Sequence, residues 1–143
     1  MDKISDNLYK TFIYDDRYKY ILEGLGNTLI IAFFAVIIGV ILGIIVSLVR
    51  NNYEVNGKGK ISNFIANSYV TIIRGTPVIL QLMIIYYVIF KSSDVNILIV
   101  GILAFGINSG AYVSEIIRSG INAIDKGQLE AGLALGLSYA KVM

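Results

Sequence analysis

An all-α polytopic membrane fold with three transmembrane helices is what this sequence predicts, on three observations. The first is composition: of 143 residues, 56% are hydrophobic and only 15% charged, with a mean hydropathy of +0.71. A soluble domain carries about 25% charged residues. The second is where the charges are missing. The 26 residues from Gly24 to Val49 hold no ionisable side chain, the 30 between Lys60 and Lys91 hold one charge, Arg74, and the 20 between Asp94 and Glu115 hold none. The third is length. A helix needs about 20 apolar residues, at about 1.5 Å each, to cross a hydrocarbon core of about 30 Å, and each run reaches it. With no water in the bilayer core, every amide must be satisfied within its own segment, which selects helices over open strands. A soluble helical core is the alternative, but so short a chain cannot surround three such helices with polar residues.

The same composition narrows the chemistry. Without cysteine there is no disulfide and no thiolate metal site, and without histidine as well no metal site is expected. No phosphate loop or other cofactor motif is visible, so no cofactor is expected. The net charge of +2 gives no indication of a nucleic-acid partner, and none is expected. The first apolar run is not a cleavable signal peptide. Residues 1–23 mix four Lys/Arg with five Asp/Glu, and 26 apolar residues exceed the 7–15 of a signal core.

Residues 1–23 read as an N-terminal interfacial segment. Ile4, Leu8, Phe12 and Ile13 alternate with charges, and five tyrosines and phenylalanines suit a headgroup region. Residues 24–143 read as one transmembrane domain, with the first span predicted over 28–49. Residues 50–60, RNNYEVNGKGK, read as a polar loop. The second apolar stretch is too long for one straight crossing. Counting about 20 residues back from Lys91 predicts a span over 71–90, with 61–70 as an amphipathic lead-in along the surface. A short loop from Lys91 to Asp94 makes the second and third spans antiparallel neighbours. The third is predicted over 95–118. Residues 125–143 are too polar to cross.

The spans differ in what they carry. In the first, Thr28, Ala32, Ala35, Gly39, Gly43 and Ser47 recur at steps of three and four, a stripe that lets helix backbones approach closely in lipid. In the second, Pro77 removes an amide donor and frees carbonyls in the turn before it, and Thr71, Arg74 and Gln81 are expected on one face. Arg74 has two readings, snorkelling to the interface or lining a path or docking site. In the third, Asn108, Tyr112, Glu115 and Ser119 form one polar stripe, expected to be buried against other helices, and Glu115 and Arg118 are spaced to pair. The stripe reads either as a wall of a water-filled path or as a hydrogen-bonding seam. Thr76, Asn108 and Tyr112, uncharged hydrogen-bonding groups near the kink and on the stripe, are the expected substrate contacts, with Gln81 as a further path candidate. Arg74, Pro77, Glu115 and Arg118 are the structural or gating candidates.

Beyond the spans, Gln128 to Leu135 is predicted as a short helix ended by Gly136, with Ser138 capping a following turn. Such a unit, outside the bilayer and without a core of its own, suits docking to another protein. Basic residues divide six to five between the two sides, which favours a cytosolic C-terminal stretch by a single charge.

Four groups stand in order along the chain: Gly24 with Thr28-Leu29; Tyr69 with Arg74-Gly75-Thr76-Pro77 and Gln81; Asn108 with Gly110-Ala111-Tyr112, Glu115, Arg118 and Gly120; and Gly127-Gln128 with Glu130-Ala131 and Gly136. Together they resemble the polar amino-acid permease subunits of binding-protein-dependent ABC importers, the type carrying histidine, glutamate, glutamine or arginine. The last group is similar to the cytoplasmic EAA signature. The resemblance implies a five-helix type I importer fold, of which three transmembrane helices are present here. It implies a multi-pass protein of the cell membrane, surrounded by the lipid bilayer, with its N-terminus outside. Two permease subunits, alike or different, would form the translocation path. An extracytoplasmic solute-binding protein would deliver the amino acid, and separate ATP-binding cassette subunits would hydrolyse ATP, so this chain is not expected to be an enzyme. Gln128, Glu130, Ala131 and Gly136 would then belong to a cytosolic coupling element seated on the ATPase.

Two departures from the signature follow. Gly132 stands where a second alanine is common, and is small enough to fit. The chain also stops at Met143, before the Ile-x-Leu-Pro that completes the signature, so it reads as a permease cut short and is expected not to transport as it stands. The alternative function is a small self-assembling pore or scaffold, which predicts ion leak without ATP or a binding protein. An intramembrane enzyme lacks support, since the spans hold no His, Cys or paired carboxylates.

Overall fold

The computed structural model describes residues 7, 9–91 and 94–142, and all regular structure among them is helical. Helix α1 covers Arg17–Asn56, α2 Lys60–Gly75 and α3 Val78–Ile84, which runs on as a wider π turn over Ile85–Ile89. Helix α4 covers Ile97–Asn122, and two short helices follow, α5 at Lys126–Ala134 and α6 at Tyr139–Val142. Ahead of α1, a single 3₁₀ turn at Tyr14–Asp16 places Asp15 and Asp16 at φ 53° and 57°. Of the apolar residues expected to seat the N-terminal segment, Phe12 and Ile13 are exposed, and Ile4 and Leu8 lie outside the described residues.

Helix α1 outruns the predicted 28–49 at both ends, and the loop expected over 50–60 shrinks to Gly57, Lys58 and Gly59. Nothing from Arg50 to Asn56 breaks a helix. The first residue that does is Gly57, which takes φ +64° and donates its N–H to the Tyr53 carbonyl at 2.9 Å. That positive φ costs glycine nothing and ends the helix.

The single helix expected over 71–90 does not form. Helix α2 already starts at Lys60, absorbs the expected lead-in and stops at Gly75, and the segment from Val78 to Ile89 leaves it at 109°. The cause is local. Pro77 lacks an N–H and its ring excludes the helical region for the residue before it, so Thr76 is extended at φ −120°, ψ 144°. Helix α4 begins where Asn96 accepts a hydrogen bond from the Leu98 N–H at 2.9 Å, and it continues past the predicted 118.

Helices α1 and α4 share the main seam. On α1 the buried residues are Ala35, Gly39, Gly43, Ser47 and Arg50, so the expected small-residue stripe is the packing face from Ala35 onward, while Thr28 and Ala32 are exposed. The approach is close. A Cβ on Gly39 would lie 2.6 Å from Ser109 Oγ, and one on Gly43 would lie 2.5 Å from Val113 Cγ1. Ile31 sits at Gly101, Ile38 at Gly106 and Gly39 at Ser109, so the two helices run in the same direction.

Parallel neighbours need the chain to return between them. The bent pair supplies that return: Tyr69 of α2 reaches the Gly110 level of α4, and Tyr86 and Tyr87 lie beside Val100 and Gly101 at its start. Two helices are thus long and apolar enough to span a membrane, and the bent pair makes a third, broken span.

Candidate functional site

The break between α2 and α3 is where polar chemistry gathers. Ending a helix at Gly75 leaves carbonyls without donors, and in an apolar setting each unpaired carbonyl is costly. Gln81, one turn into α3 and buried, supplies the donor. Its amide nitrogen lies 2.8 Å from the Ile73 carbonyl, 3.2 Å from the Thr76 carbonyl and 2.7 Å from Thr76 Oγ1. Thr76 Oγ1 in turn donates to the Ile72 carbonyl at 2.8 Å. The Gln81 side-chain oxygen accepts from Asn108 Nδ2 of α4 at 3.2 Å. One glutamine side chain therefore closes the break and ties it to the third span.

Gln81 does not share a helix face with Thr71 and Arg74, as a straight 71–90 helix would require. The 109° bend separates them. Thr76, Gln81 and Asn108 are joined in one network, whereas Tyr112 stands apart from it. Asn108 and Tyr112 do line a common groove of about 680 Å³, with Thr28, Ala32, Phe105 and Ser109 around it.

A charged cluster lies further along α4. Arg50 of α1 donates through Nη1 to Glu115 Oε1, and Arg74 Nη1 of α2 stands 3.5 Å from Glu115 Oε2. The Arg74 guanidinium also lies 5.4 Å from the centre of the Tyr112 ring, within cation–π range. Arg74, its side chain 43% exposed, is thus engaged by a carboxylate and an aromatic face.

The expected Glu115–Arg118 pair is absent. Both Glu115 oxygens are taken by arginines from other helices, while Arg118 binds Glu54 of α1 through Nε at 3.0 Å and Nη2 at 2.5 Å. Arg50 is 8% exposed, and a buried guanidinium demands a carboxylate more strongly than an exposed neighbour three residues away does. The expected polar stripe on α4 is accordingly held at Asn108 and Glu115, while Tyr112 and Ser119 are exposed.

Two participants escape a reading of the sequence alone. Arg50, a loop charge on the sequence reading, continues the Ala35–Gly39–Gly43–Ser47 series by three residues and so lies on the packing face of α1. The role of Tyr69, singled out only within the family resemblance, is the other: its hydroxyl donates to the Ile107 carbonyl at 2.6 Å and pins α2 to α4.

The C-terminal unit begins two residues earlier than expected. Asp125 accepts a hydrogen bond from the Gly127 N–H at 2.6 Å, capping α5. Gln128, Glu130 and Ala131 are exposed on this helix, and Gly136 takes φ +80° just after it. A Cβ on Gly132 would lie 2.7 Å from Val142 Cγ1, so glycine there lets α6 lie close to α5.

Residues 35–143 match the family model described as binding-protein-dependent transport system inner membrane component. The arginine transport system permease protein ArtQ of Bacillus subtilis (strain 168) is 47% identical over 131 residues, covering 87% of this chain and 55% of that protein. The putative glutamine transport system permease protein GlnP of Rickettsia prowazekii (strain Madrid E) is 39% identical over 132 residues, covering 91% and 58%. Among solved structures, a crystal structure of an amino acid ABC transporter with histidines superposes with a TM-score of 0.72 at 35% identity, over 88% of this chain and 58% of that one. The chain spans about half the length of the curated relatives it matches.

Proposed function

The chain belongs to the binding-protein-dependent transport system inner membrane components, and on that premise we propose that it is a permease subunit of an ATP-driven amino-acid importer. The observation that carries the reading to particular residues is the Thr76–Gln81–Asn108 network, which holds a helix break open beside a groove. Polar groups inside spans face a bundle interior or a water-filled cavity. Unwound backbone between half-helices is tolerated at membrane depth where it is buried in protein or lines such a cavity.

In this reading Asn108, Tyr112 and Thr76 contact the amino acid in transit, and Gln81 keeps the break in shape. Arg74, Glu115 and Arg50 fasten three helices around it. The N-terminus lies outside and α5 lies in the cytosol, where Gln128, Glu130, Ala131 and Gly136 engage an ATP-binding subunit. A second permease subunit completes the path, and an extracytoplasmic binding protein supplies the solute.

The test is uptake in proteoliposomes by the chain extended to the full length of its relatives and assembled with its ATP-binding and solute-binding partners. We expect accumulation of an amino acid that requires both ATP and the binding protein. Asn108→Ala and Tyr112→Ala should raise the solute concentration needed for half-maximal uptake, and Glu130→Lys should uncouple ATP hydrolysis from the binding protein. Leak of ions without ATP would instead favour a self-assembling pore. Sidedness is checked with Lys58→Cys, which should react with an impermeant thiol reagent from the cytosolic side alone.

A further inference from the structure

Helix α2 has three faces where an ordinary amphipathic helix has two. Ala66 and Val70 are buried against the α1–α4 pair, at 6% and 5% exposure. Ile61 and Ile65 form an apolar face, 78% and 63% exposed, with Ile65 bordering an apolar groove against Leu42, Ile45 and Val46 of α1. The third face is polar. Lys60, Asn63, Asn67, Thr71 and Arg74 follow one another at steps of three and four, so they form a single stripe along the whole helix. Lys60, Asn63, Asn67 and Thr71 of this stripe, with Tyr53, Ser68 and the apolar Phe64 and Ile72 at its border, line a concavity of about 420 Å³ between α2 and the end of α1. The side chains of Asn63, Asn67, Ser68 and Thr71 enter none of the bonds that hold the break or the ion pairs together.

A row of amides and a hydroxyl along a helix about 24 Å long is poorly placed against lipid, where nothing can hydrogen-bond it. Such groups serve either a hydrogen-bonding seam or a watery face, and here they line a concavity and not the α1–α4 seam. We infer that the Asn63–Asn67–Thr71 stripe of α2 lines the cytosolic half of the translocation path, leading from the helix break to the Gly57–Gly59 turn. This rests on the permease reading and on its sidedness. The chemistry fits a polar solute in transit. Neutral hydrogen-bonding groups in series bind weakly at several points, which lets a solute leave as readily as it enters. Charge stands only at the two ends of the stripe, at Lys60 and Arg74.

These 143 residues hold no cysteine, and single substitutions in the assembled transporter in inside-out membrane vesicles, with the unsubstituted transporter as background, test the stripe. Ile65→Cys, Ala66→Cys and Asn67→Cys place a thiol at one depth on three different faces, and Thr71→Cys lies one turn deeper. The probe is a charged, impermeant methanethiosulfonate. The cysteine thiolate attacks its sulfenyl sulfur, a mixed disulfide forms and methanesulfinate leaves, so the reaction needs water to form the thiolate.

We expect Asn67→Cys and Thr71→Cys to react at least about tenfold faster than Ile65→Cys and Ala66→Cys, since each unit that apolar burial adds to a thiol's pKa removes about nine-tenths of the thiolate. Their modification should also block ATP-driven uptake. Equal rates on all three faces, or inert thiols at both Asn67 and Thr71, would overturn the inference. Uptake by the unsubstituted transporter reports on the permease reading separately, so the two can fail independently.

Discussion

At the scale of single residues, the structure turns on two side chains that each satisfy several neighbours. Glu115 compensates Arg50, whose side chain is 9% exposed, and also stands near Arg74, whose side chain is 43% exposed. Glu115→Gln would leave a buried guanidinium without its counter-charge, and the expected loss is about 3 kcal/mol of stability. Arg74→Met removes a longer, better solvated contact and should cost about 1 kcal/mol or less. Thermal unfolding of the detergent-solubilised chain measures both, and equal shifts would contradict this ranking. Gln81→Leu strands two carbonyls and a hydroxyl at the break, with an expected loss of about 1–3 kcal/mol in the same assay. Asn108 and Gln81 could be picked out from the sequence as polar residues in apolar runs. That they touch could not, because the contact exists only once Pro77 turns the chain through 109°. Glu115 shows the opposite difficulty. Its nearest basic neighbour in sequence, Arg118, is not its partner, since pairing is decided by which guanidinium the fold buries.

At the scale of elements, length and charge patterning were sufficient for α1 and α4, whose apolar runs are long and uninterrupted. They were not sufficient for the ends of α1. The seven residues after Val49, all but Val55 polar, stay helical, because helix continuation needs only the absence of a breaker and a partner for Arg50 and Glu54. The bent pair shows the same limit: counting apolar residues finds a span but is blind to a change of direction within it. The α1–α4 seam, by contrast, was legible from Ala35 onward, since small residues at helical spacing leave few other uses in lipid. Its tightness gives a sharp expectation. Gly43→Ile places a branched side chain where even a Cβ meets Val113 Cγ1 at 2.5 Å, and should cost at least about 1–3 kcal/mol. Gly24→Ala, with nothing within 4 Å of its Cβ inside α1, should instead raise stability by about 0.5–1 kcal/mol. Comparable losses at the two positions would show that the seam is looser than it looks.

At the scale of the whole molecule, α1 and α4 form one parallel unit, and the bent pair crosses back beside it, polar where it breaks and along one stripe of α2. The short helices α5 and α6 follow as an appendage whose contacts are mainly with each other. This division was legible only as a change of polarity near Asp125, because the sequence does not say how the spans lean on one another. The length of α1 carries a consequence of its own. Its uncharged run of 26 residues measures about 39 Å as a helix, against a hydrocarbon core of about 30 Å. An excess of that size is absorbed by tilt, and since α4 is locked to α1, both must lean together. Bilayer thickness then becomes a control on posture: in lipids with longer chains the pair stands more upright, and the groove between Thr28 and Tyr112 swings with it. On the proposed permease function, uptake by the full-length subunit in its assembled transporter, compared across phosphatidylcholines of increasing acyl length, should pass through an optimum, and a flat response would mean that the lean is not set by the membrane.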